Sequence, residues 1–383
     1  MLIARPHPSE APRNPGRERR LWHDGARHTP SLGCINCPDR SICGGLQLGR
    51  ALFDCLDLCC QNPVDCDALC RRKPEKFAQR VREVGGFLFD NVPRAPVLDT
   101  ASLPALVPML FHGSRRVVPF QAPAACLPLY RVIFRQDGRG RYASPAGLAA
   151  AFSIAPGTPV ILSGTATDPP LERWWSLSIR RREAIRTLRG LGIALVTTPN
   201  YSLFTDQPRW DDLYSMKRIA LVHEEFLSEG LPAALHVNAR TERDWNRWTA
   251  YIAGREEVMH IAFEFATGAG RAGRDVWYAD QLVRLATAVG HPLHLVVRGG
   301  IKVLPALVAA FAGITVLDTS TFMKSMKRQR ASLTPTGSVT WWPSPTATDA
   351  PLDRLLADNW SAVAASFVPI LGQPVPAPIS AAG

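Results

Sequence analysis

Short β-rich runs alternate with helical patterns along most of this 383-residue chain. Eight apolar, β-branched runs predict strands at Leu106–Phe111, Leu127–Phe134, Pro159–Leu162, Ile193–Thr197, Ala233–Val237, Met259–Phe263, Leu293–Val297 and Ile314–Leu317. Apolar residues at helical spacing predict helices at Leu171–Leu188, Asp211–Glu229, Thr241–Ala253, Val276–Ala288 and Val303–Phe311. Because strands that alternate with helices form parallel sheets, the pattern predicts an α/β fold, a (β/α)8 barrel. A doubly wound open sheet is the alternative.

Composition divides the chain into four predicted parts. Residues 1–30 are rich in Pro and Arg and lack apolar periodicity, which predicts a flexible basic arm. Residues 31–95 hold a Cys-rich metal-binding module and a helical connector. Residues 96–371 form the predicted barrel, and a Pro-rich stretch joins its first two strands where a helix is expected. Residues 372–383 are predicted to be a flexible tail.

The charge balance favours a polyanionic partner. Lys and Arg number 44 against 33 Asp and Glu, which gives a net charge of +11. Nucleic acid is the usual partner of such a basic chain, with DNA expected first and tRNA as the alternative. A generally basic composition without such a partner is the competing interpretation. No apolar run reaches the roughly 18 residues that span a bilayer, and no secretory signal begins the chain, so a cytoplasmic protein without membrane contact is expected.

Eight of the nine cysteines lie close together near the N-terminus. They are Cys34, Cys37, Cys43, Cys55, Cys59, Cys60, Cys66 and Cys70. Such density in a cytoplasmic protein indicates metal ligation, because disulfides do not persist there. The CxxC start followed by proline favours a 4Fe–4S iron–sulfur cluster, while zinc held by four thiolates and disulfides are the alternatives. No nucleotide cofactor is predicted.

Polar side chains follow the predicted strands, at the edge where barrel enzymes carry their chemistry. Three carboxylates there are candidate catalytic residues: Asp318, Glu264 and Asp168. Glu264 lies between two phenylalanines, so it is expected either to be buried with a partner or to point into a pocket. Candidate residues for binding a base or nucleic acid are Asn200, Tyr201, His236, Asn238, Arg240, Arg298, Gly299, Gly300, Lys324, Lys327 and Arg328. Polar loops without a function are the competing interpretation.

The segment that ends at Asp318 resembles the tRNA-guanine transglycosylases. In that family a glycine pair and a helix precede a GVDMFD strand, and here Gly299-Gly300 precede the run Gly313–Asp318. The resemblance implies a barrel in which Asp318 is the nucleophile at the sugar. It also implies that the glycine turns cradle the base and that Asn200 and Asn238 lie near the base-binding positions of the family.

Two features of the family are absent from this chain. Its DSGGFQ motif would fall at Leu162–Thr165, and its C-terminal zinc site has no counterpart because no cysteine follows Cys126. The resemblance therefore implies a divergent branch that removes nucleobases from DNA and leaves an abasic site. A role in anti-phage defence against hypermodified bases, such as glucosylated hydroxymethylcytosine, follows by analogy. Base exchange on DNA or tRNA, and non-catalytic nucleic-acid binding by a metal-containing protein, are the alternatives.

Breaking an N-glycosidic bond builds positive charge on the sugar, which a carboxylate at C1′ stabilises or attacks. Asp318 is expected in that role, while Glu264 or Asp168 protonates the departing base. The nucleotide has to leave the stacked duplex to reach such a site. Basic residues are expected to hold the flanking phosphates: Arg115, Arg116, Lys324, Lys327, Arg328 and Arg330. Aromatic residues near the expected mouth of the barrel are candidates for stacking on bases: Trp174, Trp175, Tyr201, Trp341 and Trp342.

Overall fold

The computed structural model describes residues 29–30, 47–48, 74–134, 136–203, 209–266, 274–347 and 349–372. By their contacts they group into two compact units. The first lies within Met1–Arg94, Tyr201–Val222 and Val237–Arg255. The second lies within Ala95–Asn200, His223–His236 and Glu256–Gly383. One border between the units lies between Arg94 and Ala95, whereas the first unit also contains Tyr201–Val222 and Val237–Arg255 from the range 96–371 of the predicted barrel.

The strands and helices have the following bounds. The strands are β1 (Thr29–Pro30), β2 (Gln47–Leu48), β3 (Leu106–Pro108), β4 (Ala125–Pro128), β5 (Val160–Ser163), β6 (Ile193–Thr197), β7 (Ala233–His236), β8 (His260–Glu264), β9 (His294–Arg298), β10 (Gly313–Asp318), β11 (Gln329–Leu333) and β12 (Val339–Pro343). The helices are α1 (Pro74–Val84), α2 (Leu129–Val132), α3 (Pro145–Phe152), α4 (Asp168–Ser176), α5 (Arg180–Gly190), α6 (Arg209–Ser228), α7 (Glu242–Ala253), α8 (Arg274–Ala288), α9 (Leu304–Ala310), α10 (Ser320–Met326) and α11 (Asp353–Leu371), and a 3-10 turn at Ile301–Val303 precedes α9.

The second unit contains an eight-stranded parallel sheet in the order β3-β10-β9-β8-β7-β6-β5-β4. Its two edge strands approach each other, since the Leu110 amide donates to the Cys126 carbonyl at 2.8 Å. The sheet is therefore nearly closed and barrel-like, which is consistent with the predicted (β/α)8 barrel. Two further pairs, β1 with β2 and β11 with β12, are antiparallel.

Side chains from the strands fill the interior of this sheet. Strands β3, β5, β7 and β8 are buried along their whole length, as expected of parallel strands covered on both faces. One apolar cluster collects residues from all eight strands: Val107, Cys126, Ile161, Leu195, Ala234, Ala262, Val296 and Leu317. The interior is thus a packed core, and chemistry belongs at the strand ends.

Two of the predicted elements are wrong in part. The predicted strand Leu127–Phe134 ends at Pro128 and continues as helix α2. Proline lacks the N–H that a continuing ladder needs, and its fixed φ suits the start of a helix. The predicted helix Leu171–Leu188 is two helices, α4 and α5, because Ser178 adopts a left-handed φ of 50° between them. The Pro-rich link between the first two barrel strands has no helix, as predicted.

The segment after β10 holds elements that the sequence pattern did not predict. Strands β11 and β12 form a hairpin, and α11 follows it. The helix buries a stripe at i, i+3 and i+4 spacing that includes Leu356, Trp360, Val363 and Phe367. Burial of this apolar face therefore fixes the rotation of α11 about its axis.

The sheet contains two histidines whose burial is expected to make the protein less stable in acid. The rings of His260 and His294 lie 5.3 Å apart, and burial lowers the pKa of each to about 4. The Thr315 hydroxyl donates to the Pro104 carbonyl, so it accepts from His294 Nε2 at 2.8 Å, which fixes the orientation of that ring.

The folded pKa values of His260 and His294 lie below the unfolded value. The stability that the two neutral rings contribute is therefore complete above pH 6.5 and is lost as pH falls towards 4. We expect urea unfolding to show a loss on the order of 1 kcal/mol per histidine between pH 7 and 5. The His260→Gln variant is expected to have a shallower pH dependence than the wild type. Equal slopes for both proteins would contradict the assignment.

Within the described residues, no helix combines the length and the apolar character needed to cross a membrane.

Candidate active site

A buried carboxylate–guanidinium pair lies at the carboxyl ends of two adjacent barrel strands. Glu264 ends β8 and Arg298 ends β9, and the two residues are register partners in the sheet. Arg298 Nε donates to Glu264 Oε2 at 2.6 Å, and Glu264 Oε1 accepts from the Ala266 amide at 2.9 Å. Glu264 is 5% exposed, so of the two predicted alternatives it is the buried carboxylate with a partner.

Burial dominates the protonation of this carboxyl group. It raises the pKa of Glu264 above the usual value, although Arg298 and the Ala266 amide act in the opposite direction. A carboxyl group that holds its proton nearer to neutrality is suited to donate it to a leaving group. Arg298 would keep the same group oriented, since its planar guanidinium fixes the direction of the hydrogen bond.

The guanidinium of Arg298 also reaches other strands of the barrel. Its Nη1 lies 3.9 Å from the sulfur of Met109, just beyond β3. Burial lowers the pKa of His236 to about 3 with a further contribution from Arg298, and burial raises the pKa of Cys126 to about 12. Both groups are therefore neutral near pH 7. His236 Nδ1 is buried and has no hydrogen-bond partner among the residues that the structure describes.

Asp318, the leading catalytic candidate, lies at the end of β10 and caps the next helix. Its Oδ1 accepts from the amide of Ser320 at 2.8 Å and from the hydroxyl of that residue at 2.5 Å, and its Oδ2 accepts from the Thr321 amide at 3.1 Å. The neighbouring Leu317 belongs to the interior cluster, so side-chain alternation turns Asp318 towards the other face of the sheet. It is 7% exposed. The structure thus holds this carboxylate in place through α10.

The glycine pair after β9 is needed for close packing within the protein. Gly299 and Gly300 have φ values of 79° and 71°, which favour glycine. A Cβ on Gly299 would lie 2.9 Å from the Ala266 amide nitrogen, and one on Gly300 would lie 2.6 Å from the Phe265 ring. The loop after β8 therefore leaves no room for a side chain at either glycine. The role of the glycine pair in binding a base stays a prediction.

Hydrogen bonds join the loops after β5, β6 and β7 at the same edge of the sheet. The Thr197 hydroxyl accepts from the Gly164 amide at 2.9 Å, and the Thr198 hydroxyl accepts from the His236 amide at 2.8 Å. Asn200 Oδ1 accepts from the Ala166 amide at 3.2 Å. Sequence reasoning placed Asn200 here and missed Thr197, the last residue of β6, and Thr198, which follows it; their position at the end of a buried strand was the available signal.

Asp168 lies on the far side of this edge from Glu264. It is exposed, and it begins α4 after the loop that follows β5. In the sheet order β6 and β7 separate β5 from β8, so the structure does not pair these two candidate acids. Glu264 is accordingly the stronger candidate for the proton donor.

Three of the predicted base-binding residues belong to the first unit. Asn238 Nδ2 donates to the Tyr201 carbonyl at 2.9 Å, and Arg240 Nε donates to the Leu203 carbonyl at 2.8 Å. Tyr201 is fully buried, with the guanidinium of Arg218 4.0 Å from its ring centre. These contacts brace the chain at the start of the Tyr201–Val222 segment.

The residues predicted to hold phosphates differ in how far they are engaged by the protein. Arg116 is 8% exposed and donates to the carbonyls of His112, Phe152 and Ser153, which makes it a structural residue. Arg328 donates to the carbonyls of Thr346 and Ala347. By contrast, Arg115 and Lys327 are exposed, and half-buried Lys324 lies 5.7 Å from the centre of the Trp341 ring.

The eight cysteines of the predicted metal module lie outside the described residues, so the iron–sulfur or zinc prediction stays untested. Within the described ranges, no group of three or more His, Cys, Asp or Glu side chains could hold a metal ion. Cys126 is buried in the barrel interior as a free thiol.

The carboxyl ends of β8 and β9 thus bring Glu264 and Arg298 together on the face of the sheet that carries Ala262 and Val296 of the interior cluster. Asp318 ends the neighbouring strand β10 on the opposite face, where it holds the start of α10, so the structure does not bring this carboxylate together with Glu264. No known family model matches this chain, and a search of curated proteins finds no relative.

Proposed function

We propose that this protein is a hydrolase that cleaves the N-glycosidic bond of a modified nucleobase in DNA and leaves an abasic site. The observation that carries the proposal is the buried Glu264–Arg298 pair at the carboxyl edge of the sheet, where (β/α)8 enzymes hold their catalytic groups. The net charge of +11 supports a polyanionic substrate.

Each residue has a defined part in the proposed reaction. Glu264, whose pKa burial raises, is the proposed general acid: it gives its proton to the base as the C1′–N bond breaks and the electron pair of that bond leaves with the base. Following the family resemblance, we give Asp318 the stabilisation of the positive charge that develops on the sugar, which requires this carboxylate to turn from α10 to the face of the sheet that carries Glu264. Water then adds to C1′ and returns a proton to Glu264. Arg298 orients Glu264 throughout.

Hydrolysis is favoured over base exchange because the DSGGFQ motif of the tRNA-guanine transglycosylases, which supplies their second acid, has no counterpart at Leu162–Thr165. Without that group, water is the proposed acceptor of the sugar.

Mass spectrometry of released bases tests the proposal. The purified full-length protein is incubated with unmodified DNA, with DNA containing glucosylated hydroxymethylcytosine, and with tRNA. We expect a free base and an equal amount of abasic sites from modified DNA. Release that requires an added free base would instead establish exchange, and no release from any of the three substrates would refute the proposed reaction.

A further inference from the structure

The hairpin of β11 and β12 presents an exposed face that no part of the proposed reaction uses. None of the residues in its two strands is buried. A two-stranded ribbon is marginal alone, and here α11 anchors it: Asn359 Oδ1 accepts from the Ala331 amide, and its Nδ2 donates to the Gln329 carbonyl. These bonds fix the ribbon while its outer face stays open.

The register of the hairpin decides which side chains share that face. Arg330 pairs with Trp342, and Ser332 pairs with Thr340, so these four side chains lie on one side. Trp342 is 62% exposed, and its indole N–H donates to the Thr340 hydroxyl at 3.2 Å. The result is a fixed, solvent-facing indole beside a cation and two hydroxyl groups, which we call the ribbon face.

The chain segment that contains the ribbon face is positively charged. Between Thr319 and Thr348 the chain carries four basic residues and no carboxylate. The acidic neighbour contributed by another element is Asp358 of α11, whose carboxylate lies 4.0 Å from the Arg330 guanidinium. Both members of this pair are largely exposed, so Asp358 offsets only a small part of the positive potential.

The hairpin is linked to the end of β10 through α10. This helix begins at Ser320, whose amide and hydroxyl bind Asp318, and its Lys324 lies over the Trp341 ring on the hairpin. Because Trp341 lies on the side of the ribbon opposite Trp342, α10 supports the hairpin without covering the ribbon face.

We propose that the ribbon face binds single-stranded nucleic acid, with a base stacked on Trp342 and phosphates held by Arg330 and Lys327. A flat indole accepts any base, and basic side chains beside it suit the backbone. A membrane surface would require a broad apolar patch, whereas here hydroxyl groups surround one ring. The inference rests on the proposed function in one respect: the bound strand is taken to be the part of the substrate that flanks the reacting nucleotide.

Fluorescence anisotropy with a dye-labelled, unmodified single-stranded oligonucleotide tests this inference without turnover. Trp342→Ala in the full-length protein is expected to weaken binding roughly 5- to 100-fold, and Trp342→Phe is expected to recover most of the loss. Arg330→Gln should reduce the slope of log affinity against log salt by about 0.7. The matched controls are Phe134→Ala, another exposed aromatic beside an arginine, and Arg284→Gln, another exposed arginine beside a carboxylate.

The outcomes separate the possible partners. A change below twofold for Trp342→Ala, or an equal loss in Phe134→Ala, would overturn the inference. So would equal binding of an abasic oligonucleotide of the same length, since charge alone would then explain affinity. Trp342-dependent binding to vesicles of anionic lipid, without binding to the oligonucleotide, would assign the face to a membrane. If bases are released from no substrate but Trp342 still governs binding, the proposed reaction fails and this inference stands.

Discussion

Glu264→Gln is expected to lower base release about 10²- to 10⁴-fold while the protein stays folded. Glutamine keeps the size and the hydrogen-bonding oxygen of the side chain but has no proton to transfer. Arg298 can still donate to the amide oxygen, so the guanidinium keeps a hydrogen-bond partner. The measurement is single-turnover release of free base, followed by mass spectrometry.

The rate of base release is also expected to depend on pH in a defined direction. Because burial raises the pKa of Glu264, the protonated acid persists to higher pH than in a free glutamate, and the rate should fall as pH rises through the raised value. This falling limb should be absent from the Gln variant.

The matched control is Glu225→Gln, because Glu225 forms a comparable, largely buried pair with Arg181 at 2.8 Å between α6 and α5, away from the strand ends. It should leave the pH profile unchanged. An unaltered rate in the Glu264 variant would remove this residue from the mechanism.

Asp318→Asn is expected to lower base release about 10²- to 10³-fold, as the loss of one preorganised electrostatic group does in other enzymes. The substitution removes the negative charge that the proposal places near C1′. One oxygen remains to accept from the Ser320 and Thr321 amides, so the helix cap is partly kept. We expect the free energy of unfolding to fall by about 1 kcal/mol.

A second variant separates catalysis from capping. Ser320→Ala removes one hydrogen bond to Asp318 and leaves the carboxylate in place. If Asp318 acts on the sugar, this variant should lose some stability but keep most of its activity. If both variants lose stability equally and release bases at the wild-type rate, Asp318 is only a cap of α10 and the nucleophile inferred from the family resemblance is wrong.

The strands of the barrel were largely predictable because buried parallel strands are short, continuous apolar runs bounded by polar loops. The run Ile193–Thr197 has the same bounds in the sequence pattern and in the structure. The helix break at Ser178 was not predictable, since the apolar periodicity continues across it and only the packed structure requires the left-handed residue. The hairpin was missed because none of its residues is buried and its strands lack a clear alternation.

Residue order alone indicated that Glu264 is an exceptional carboxylate, because a charged group between two phenylalanines must find a partner or lose its charge. The identity of that partner depends on the register of β8 against β9, which aligns Glu264 with Arg298 across 34 positions of sequence. The same holds for Asp318, whose place at a strand end was readable but whose hydrogen bonds arise from the turn into α10. Local patterns report which elements form and which faces are buried, whereas the meeting of distant side chains follows from how the strands pair.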